Sequence, residues 1–390
     1  MAASVREFQD HFIAQVRRSI LNQPPSEKVI EAFYSVPRHF FVSRYFNHSS
    51  QCWEEISPQN LEKCLPELYA DHPLVIFGND ADLQRESEGA RISTISQPSF
   101  VLSMLDLLNV EEGMKVFELG TGSGWNAGLL AHLVGTKGKV VSVEIIAELA
   151  SSAKARLEHF KFSQVKVLQA DGAEGDVLNA PFDRAIFTAG ADDFPKVFHS
   201  QIKIGGRVLF VLKNRFGSDL LMLLEKTENA FESHSVIPCK FVSLTGPHQS
   251  NDKTALELAQ VLQSAQIENN AQEEIPFSSP GSGFRFFLST LEPCFQTLHV
   301  QGQSCFGIIF KEKRSAVVAQ DGKLVSYGAR DAMELMVECF REWQKLDCPR
   351  LEQYQAKIYP IDFAMVKLPG QWIQKKKASQ WLWSVKTNLN

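Results

Sequence analysis

This chain of 390 residues has few cysteines and no excess of positive charge. Seven cysteines are scattered along it without a CxxC pair, and the odd number leaves at least one unpaired. Thiols spread this way read as reduced, packed side chains and exclude a disulfide scaffold. No cluster of metal-ligating side chains and no Cys/His catalytic pair stands out, so no metal is expected. The formal net charge of −5 argues against a general nucleic-acid binder, which would carry a basic face. No apolar run approaches membrane-spanning length. Residues Met1 to Gln9 lack the basic-then-apolar layout of a signal peptide. The expectation is a cytoplasmic protein that binds neither nucleic acid nor membrane.

What is present is a regular α/β alternation arranged around Val116-Phe117-Glu118-Leu119-Gly120-Thr121-Gly122-Ser123-Gly124-Trp125. Lys115 to Leu119 reads as an apolar strand, followed by a glycine turn and a helix from Trp125 to Val134. A turn without Cβ atoms lets a ligand approach the backbone, and the helix start aims free N–H groups into it. Taken as Gly122-x-Gly124-x-x-Ala127, the turn also meets a relaxed dinucleotide fingerprint, which alone is weak. The surrounding acids decide otherwise. Glu118 stands at the tip of its strand. Glu144 ends the next strand, Lys139 to Glu144, where a carboxylate can take ribose hydroxyls. Asp171-Gly172 follows a third, Val165 to Gln169, within reach of an adenine amine. Acids at three successive strand ends suit a cationic sulfonium nucleoside, S-adenosylmethionine, and Glu118 would repel a pyrophosphate.

Upstream, Phe8, Phe12, Val16 and Ile20 mark a helix, and Ser26 is placed to cap a second one through Phe33. Residues 47–88 read as a polar loop or insertion. Ser93-Thr94-Ile95-Ser96-Gln97-Pro98 then sets hydroxyls beside a helix-starting proline, with Ser96 as the expected cap. Capping accounts for one serine; the group forms a lip able to orient a polar substrate. Downstream come strands at 181–188 and 207–212, a helix at 194–202, and closing strands at 220–226 and 235–244. Unbroken apolar strands between helices imply a parallel sheet covered on both faces. Beyond Gly246 the pattern changes. A helix is expected over 254–266, a polar linker over 268–283, and strands at 284–290, 307–310, 316–319 and 324–327. Asp321-Gly322 marks a hairpin, a helix is expected over 331–344, and Lys375-Lys376-Lys377 reads as a solvated turn.

Residues from about 27 to 246 resemble the protein-L-isoaspartate (D-aspartate) O-methyltransferase family. The resemblance rests on Val36-Pro37-Arg38, Phe41-Val42, Ile95-Ser96-Gln97-Pro98, Phe117 to Gly124, Val143-Glu144, Asp171-Gly172, Ala180-Pro181-Phe182-Asp183 and Gly205-Gly206-Arg207. It implies cofactor contacts by Glu118, Gly120, Gly122, Glu144, Asp171 and Gly172, and contact of the Ser96 hydroxyl with a substrate carboxylate. The wider expected set adds Thr121 and Gly124 for the cofactor and Thr94 beside Ser96 for catalysis. Ser93, Gln97, Pro98, Thr188 and Ala189 complete it on the substrate side. Ser99-Phe100 departs from the His or Tyr of many members.

The expected fold is a doubly wound, Rossmann-like class I methyltransferase domain with a helical N-terminal region and an extra C-terminal α+β domain. Its segments are 1–92 (helical, with the insertion), 93–249 (methyltransferase), 250–283 (helix and linker) and 284–390, the last folding as a separate unit. The expected reaction is methylation of the free carboxylate of isoaspartyl residues in proteins or peptides. A carboxylate is already ionised at neutral pH and needs no general base. Alignment of the reacting atoms is then the main contribution, worth roughly 7–11 kcal/mol at best. Two alternatives remain at this point: methylation of normal aspartate in a dedicated target, and an inactive cofactor-binding adaptor.

Overall fold

The structure, a computed structural model, describes residues 2–18, 24–79, 92–246, 256–277 and 281–386. Two helices come first, α1 (Ala2–Arg18) and α2 (Glu27–Ser35). Ser26 precedes α2 but gives it no side-chain cap; its hydroxyl donates to Asp106 Oδ1 at 2.5 Å. A hairpin of β1 (Arg44–Asn47) and β2 (Cys52–Glu55), helix α3 (Leu61–Leu68) and β3 (Leu74–Phe77) follow. The expected loop at 47–88 is therefore built of short ordered pieces as far as Phe77, and residues 80–91 lie outside the described ones. Cys64, Leu65, Leu68 and Leu74 are buried there, but they are too few among acids to show a period.

β4 (Ser93–Ile95) pairs with β3 and leads into α4 (Pro98–Leu108). The alternation then runs β5 (Lys115–Leu119), α5 (Trp125–Val134), β6 (Lys139–Glu144), α6 (Ala147–His159), β7 (Val165–Gln169) and β8 (Phe182–Phe187). A short α7 (Phe198–Gln201), β9 (Ile202–Leu212), β10 (Asp219–Lys226) and β11 (Phe231–Cys239) complete it. In the sheet the order is β7-β6-β5-β8-β9, all parallel, followed by β10 and β11 antiparallel. The chain leaves β5 on one side and returns through β8 on the other. That switch point opens a crevice at the carboxyl ends of the strands. Side-chain alternation assigns Val116, Ile186, Leu209 and Leu221 to the core under α2, α4 and α5. Their neighbours Phe117, Phe187, Phe210 and Met222 belong to the opposite core.

The remaining chain contains β12 (Leu256–Glu257), α8 (Leu258–Ser264), β13 (Ala271–Pro276), α9 (Gly281–Leu291) and β14 (Phe295–Val300). Then come β15 (Gln303–Phe310), β16 (Ser315–Gln320), β17 (Lys323–Gly328), α10 (Asp331–Lys345), β18 (Tyr354–Pro360), β19 (Trp372–Lys375) and β20 (Ser379–Val385). β12 to β17 form a six-stranded sheet, whereas β18, β20 and β19 extend the large sheet to ten strands beyond β11. A boundary at 284 thus does not separate two sheets. Nor does it separate two cores: Phe216 meets Phe286 at 5.7 Å and Phe210 meets Trp381 at 6.1 Å, within one continuous cluster.

Three local expectations also change. The expected strand at 284–290 is the helix α9, because a short apolar aromatic run has no period that tells the two apart. The expected linker holds β13, which pairs with β17. The expected helix over 194–202 keeps only α7, and Ile202 already belongs to β9, where Gly205 takes φ +76°.

Candidate active site

The turn after β5 is fixed from both sides. Gly120 N–H and Thr121 N–H donate to Val143 O of β6 at 2.9 and 3.3 Å. Gly120 has φ +92°, and a Cβ there would collide with the Thr188 hydroxyl at the end of β8. Gly122 has φ +52°, and its Cβ position lies 3.4 Å from Ser93 Oγ, so the serine lip crosses directly over the turn. Gly124 does something else. Its missing Cβ admits Ala153 of α6 at 3.1 Å, and it lies outside the cleft lining.

The cleft is an open space of about 850 Å³ at the switch point. Gly120, Thr121, Gly122, Glu144, Asp171 and Gly172 line it, together with Ser93, Thr94 and Ser96 of the lip and Thr188 and Ala189 past the end of β8. Glu144 Oε2 accepts from Gly122 N–H at 2.8 Å and Oε1 from Ile146 N–H at 3.0 Å, so its carboxylate is held at the mouth of the turn. Asp171 Oδ1 accepts from Ala173 N–H at 2.9 Å, while Oδ2 is buried with no hydrogen-bond partner. A buried acceptor left without a donor is costly, and an exocyclic amine placed there would satisfy it. The donor set thus fits an adenosine moiety.

Glu118 is placed differently from expectation. It is fully buried beneath the turn and does not line the cleft. Oε1 accepts from Asn126 Nδ2 at 2.7 Å, and Oε2 accepts from the Ser142 hydroxyl. Ser142 Oγ also contacts Thr121 Oγ1 at 2.6 Å, which ties the acid to the turn. Burial pushes the Glu118 carboxyl up to about 7, and the two hydrogen bonds only partly offset it.

The lip is held from behind. Arg38, fully buried, donates through Nη2 to Ile95 O at 3.2 Å and to His72 O at 3.4 Å, and its guanidinium lies 5.3 Å from the Trp125 ring. Burial brings its pKa down to about 9. Ser96 does not cap α4; Gln97 occupies that position. Gln97 faces away from the cleft, with Nε2 on Asp71 Oδ2 at 3.1 Å, and Pro98 is buried at the helix start. The Thr188 hydroxyl is engaged by two carbonyls, Gly120 O at 2.6 Å and Leu119 O at 3.0 Å.

Another part of the lining is a strap, residues 242–245, of which 242–244 were expected in the closing strand 235–244. Gly190 N–H donates to Val242 O and Leu244 N–H to Gly190 O, both at 2.8 Å. A nearly buried pair anchors it: Lys213 Nζ lies 2.7 Å from Asp219 Oδ2 and also donates to Phe241 O, while Phe241 N–H donates to Asp219 Oδ2 at 2.8 Å. Phe241 in turn packs on Phe100 of α4 at 5.9 Å. The strap, Asn126 and Ser142 were not anticipated. Only Ser142 left a signal, as a lone hydroxyl inside an apolar strand.

The family model described as protein-L-isoaspartate(D-aspartate) O-methyltransferase matches residues 7–249. The chain belongs to this family. Its activity is accordingly S-adenosylmethionine-dependent methylation of an isoaspartyl carboxylate, a protein-repair reaction. It is similar to protein-L-isoaspartate O-methyltransferase 1 of Nitrosospira multiformis, at 33% identity over 248 residues, covering 63% of this chain and 91% of the relative. It is also similar to protein-L-isoaspartate O-methyltransferase 2 of Archaeoglobus fulgidus, at 36% over 205 residues, 52% of this chain and 78% of the relative. A solved protein-L-isoaspartate O-methyltransferase aligns with TM-score 0.57 at 21% identity and covers 93% of this chain and 99% of its own length, so the shared fold continues past residue 249. The family departure at Ser99-Phe100 has a structural outcome: Phe100 packs on the strap anchor and neither residue lines the cleft. Among the described residues no helix is long and apolar enough to cross a membrane.

Proposed function

We propose that this methyltransferase divides the cleft into a carboxylate side for the cofactor and a hydroxyl side for the isoaspartyl group. The observation that carries this is the crossing of Ser93 over Gly122, which sets the lip against the cofactor turn. Asp171 Oδ2 takes the adenine amine and Glu144 the ribose hydroxyls, with the backbone of Gly120 to Gly122 alongside. When bound, S-adenosylmethionine supplies a methyl group made electrophilic by its sulfonium. Ser96 and Thr94 orient the isoaspartyl carboxylate, which is ionised without help. The strap completes the lining and excludes water, so alignment rather than proton transfer provides the rate. Glu118 acts from beneath, fixing Asn126 and, through Ser142, Thr121.

Protein or peptide substrates bearing isoaspartate are the proposed partners. The test uses the full chain with S-adenosylmethionine and twin peptides that differ only in an isoaspartyl or aspartyl residue. Methyl ester forming on the isoaspartyl twin alone is the expected result. Equal labelling of both twins, or of neither, would overturn the assignment.

A further inference from the structure

The part of the chain beyond the family match has a cavity of its own, about 170 Å³, between α9 and the hairpin ends of the six-stranded sheet. Arg285 of α9 lines it together with Phe277, Phe306, Gln303, Ser304 and Gln320. The guanidinium lies over the Phe306 ring, 5.1 Å from its centre. Its Nε is shielded from solvent and has no hydrogen-bond partner, and among the described residues the acidic group that acts on it is the Cys305 thiol rather than a carboxylate. Of the other charges lining the cavity, the lysine is ion-paired and the exposed Asp321 is held at the hairpin turn by a neutral amide. Lys323 Nζ pairs with Glu274 at 2.7 Å, and Asp321 Oδ2 accepts from Gln320 Nε2 at 3.2 Å. A half-buried guanidinium without a counter-charge is unfavourable, and its planar fork matches a carboxylate. Amide and hydroxyl donors from Gln303, Ser304 and Gln320 stand around the same space.

The cavity is tied to the cleft end of the large sheet. The loop after β9 touches Arg285: a Cβ on Gly217 would sit 3.4 Å from Nη2. Phe216 packs on Phe286 at 5.7 Å, and Arg215 Nη1 donates to Pro293 O at 2.7 Å. That loop leaves β9 at Leu212, which bridges Ala191 just past the cleft residue Ala189.

We propose that the Arg285 cavity binds a carboxylate and serves as a second docking point for acidic peptide substrates, away from the reacting residue. Its substrate role rests on the methyltransferase reading above; the carboxylate site does not. The same chemistry could come from an acidic side chain or C-terminus of the peptide, or from a free small dicarboxylate. The test measures binding of labelled peptides without isoaspartate, one with glutamates and a free C-terminus and one neutral and amidated, to the full chain and to Arg285→Gln. A third arm titrates glutarate alone. About tenfold tighter binding of the acidic peptide is expected, weakening with salt and lost in Arg285→Gln. Glutarate that binds the parent protein and not the variant, with no peptide preference, assigns the site to a small dicarboxylate.

If the parent protein shows neither preference nor glutarate binding, or if Arg285→Gln retains either, the proposal is overturned. Methylation of a neutral isoaspartyl peptide by Arg285→Gln at the parental rate reports its folding. Should that variant fail to fold, Arg285→Lys and Arg285→Met carry the same comparison, with the preference kept in part by Lys and lost in Met. These peptides need no turnover, so failure of the methyl-transfer test and failure of this site are separate results.

Discussion

The two sides of the cleft are built in different ways. On the cofactor side, Glu144 and Asp171 end successive parallel strands, and their carboxylates accept from backbone N–H groups of the turn and of the residues just after them: Glu144 from Gly122 and Ile146, Asp171 from Ala173. On the substrate side, each wall depends on a distant residue. The lip hangs on Arg38, and the strap hangs on a pair from β9 and β10. Recognition of a constant cofactor can be written into strand ends and a turn. Recognition of a protein substrate is assembled by tertiary contacts, and mutations should separate the two.

The largest effect is expected at Lys213. Lys213→Met leaves Asp219 nearly buried and unpaired, and breaking such a pair costs about 3–5 kcal/mol of stability. Denaturant titration should show that loss, together with a raised KM for peptide. Lys213→Met/Asp219→Leu should recover most of the stability and not the KM, because Phe241 loses both of its anchors. If the double variant regains full peptide affinity, the strap is held by Gly190 alone. On the cofactor side, Glu144→Ala should weaken S-adenosylmethionine binding about 100-fold in calorimetry, through lost ribose contacts and a released Gly122 N–H. A change below about fivefold would remove Glu144 from the pocket.

The same contrast explains what the sequence could reveal. β5, α5 and β6 were legible to the residue, because buried parallel strands read as apolar runs and a glycine turn has a local signature. Asp171, Gly172 and the lip hydroxyls follow from position along those elements. Glu118 was identified as an acid near the turn, but its place under the turn depends on Ser142 and Asn126, which are brought there by packing. Gly124 looked like part of the cofactor turn, yet Ala153 of α6 determines its need for a bare backbone. The strap carries no motif, since Lys213, Asp219 and Phe241 meet only through the β9–β10 pairing and the return of the chain. The union of β18 to β20 with the large sheet was equally hidden: pairing partners more than a hundred residues apart leave no pattern in either segment.

A moderate effect belongs to Glu118, which couples the cofactor side to pH. Its folded-state value of about 7 lies above the ordinary 4.5, so the unfolded chain releases this proton first as pH rises. The stability it allows is fully present below about 4.5 and is lost as pH rises through 7. Glu118→Gln should remove that slope, gaining about 3 kcal/mol at pH 8 relative to the parent protein and nothing at pH 4. Thermal unfolding of the cofactor-free proteins across that range measures the difference. His39 and His199, both held down to about 4 by burial, act in the opposite sense and cancel in the comparison of the two proteins.

The smallest effects should separate two adjacent residues of the lip. Ser96 lines the cleft, and Gln97 points away to Asp71 and Ser99. Removing a positioned hydroxyl from Ser96 deprives the substrate carboxylate of one donor, so Ser96→Ala should lower kcat/KM about tenfold while cofactor affinity stays within twofold. The loss stays below that of an oxyanion site because the carboxylate gives up negative charge as the ester forms. Gln97→Ala removes only a partly exposed amide contact and should leave both constants within about twofold. Measuring the two variants side by side on one isoaspartyl peptide is decisive, since both sit between β4 and α4 and share any disturbance of the backbone. A large loss in Gln97→Ala with little in Ser96→Ala would mean that the lip acts through its attachment to Asp71, and the hydroxyl side of the cleft would have to be redrawn around that contact.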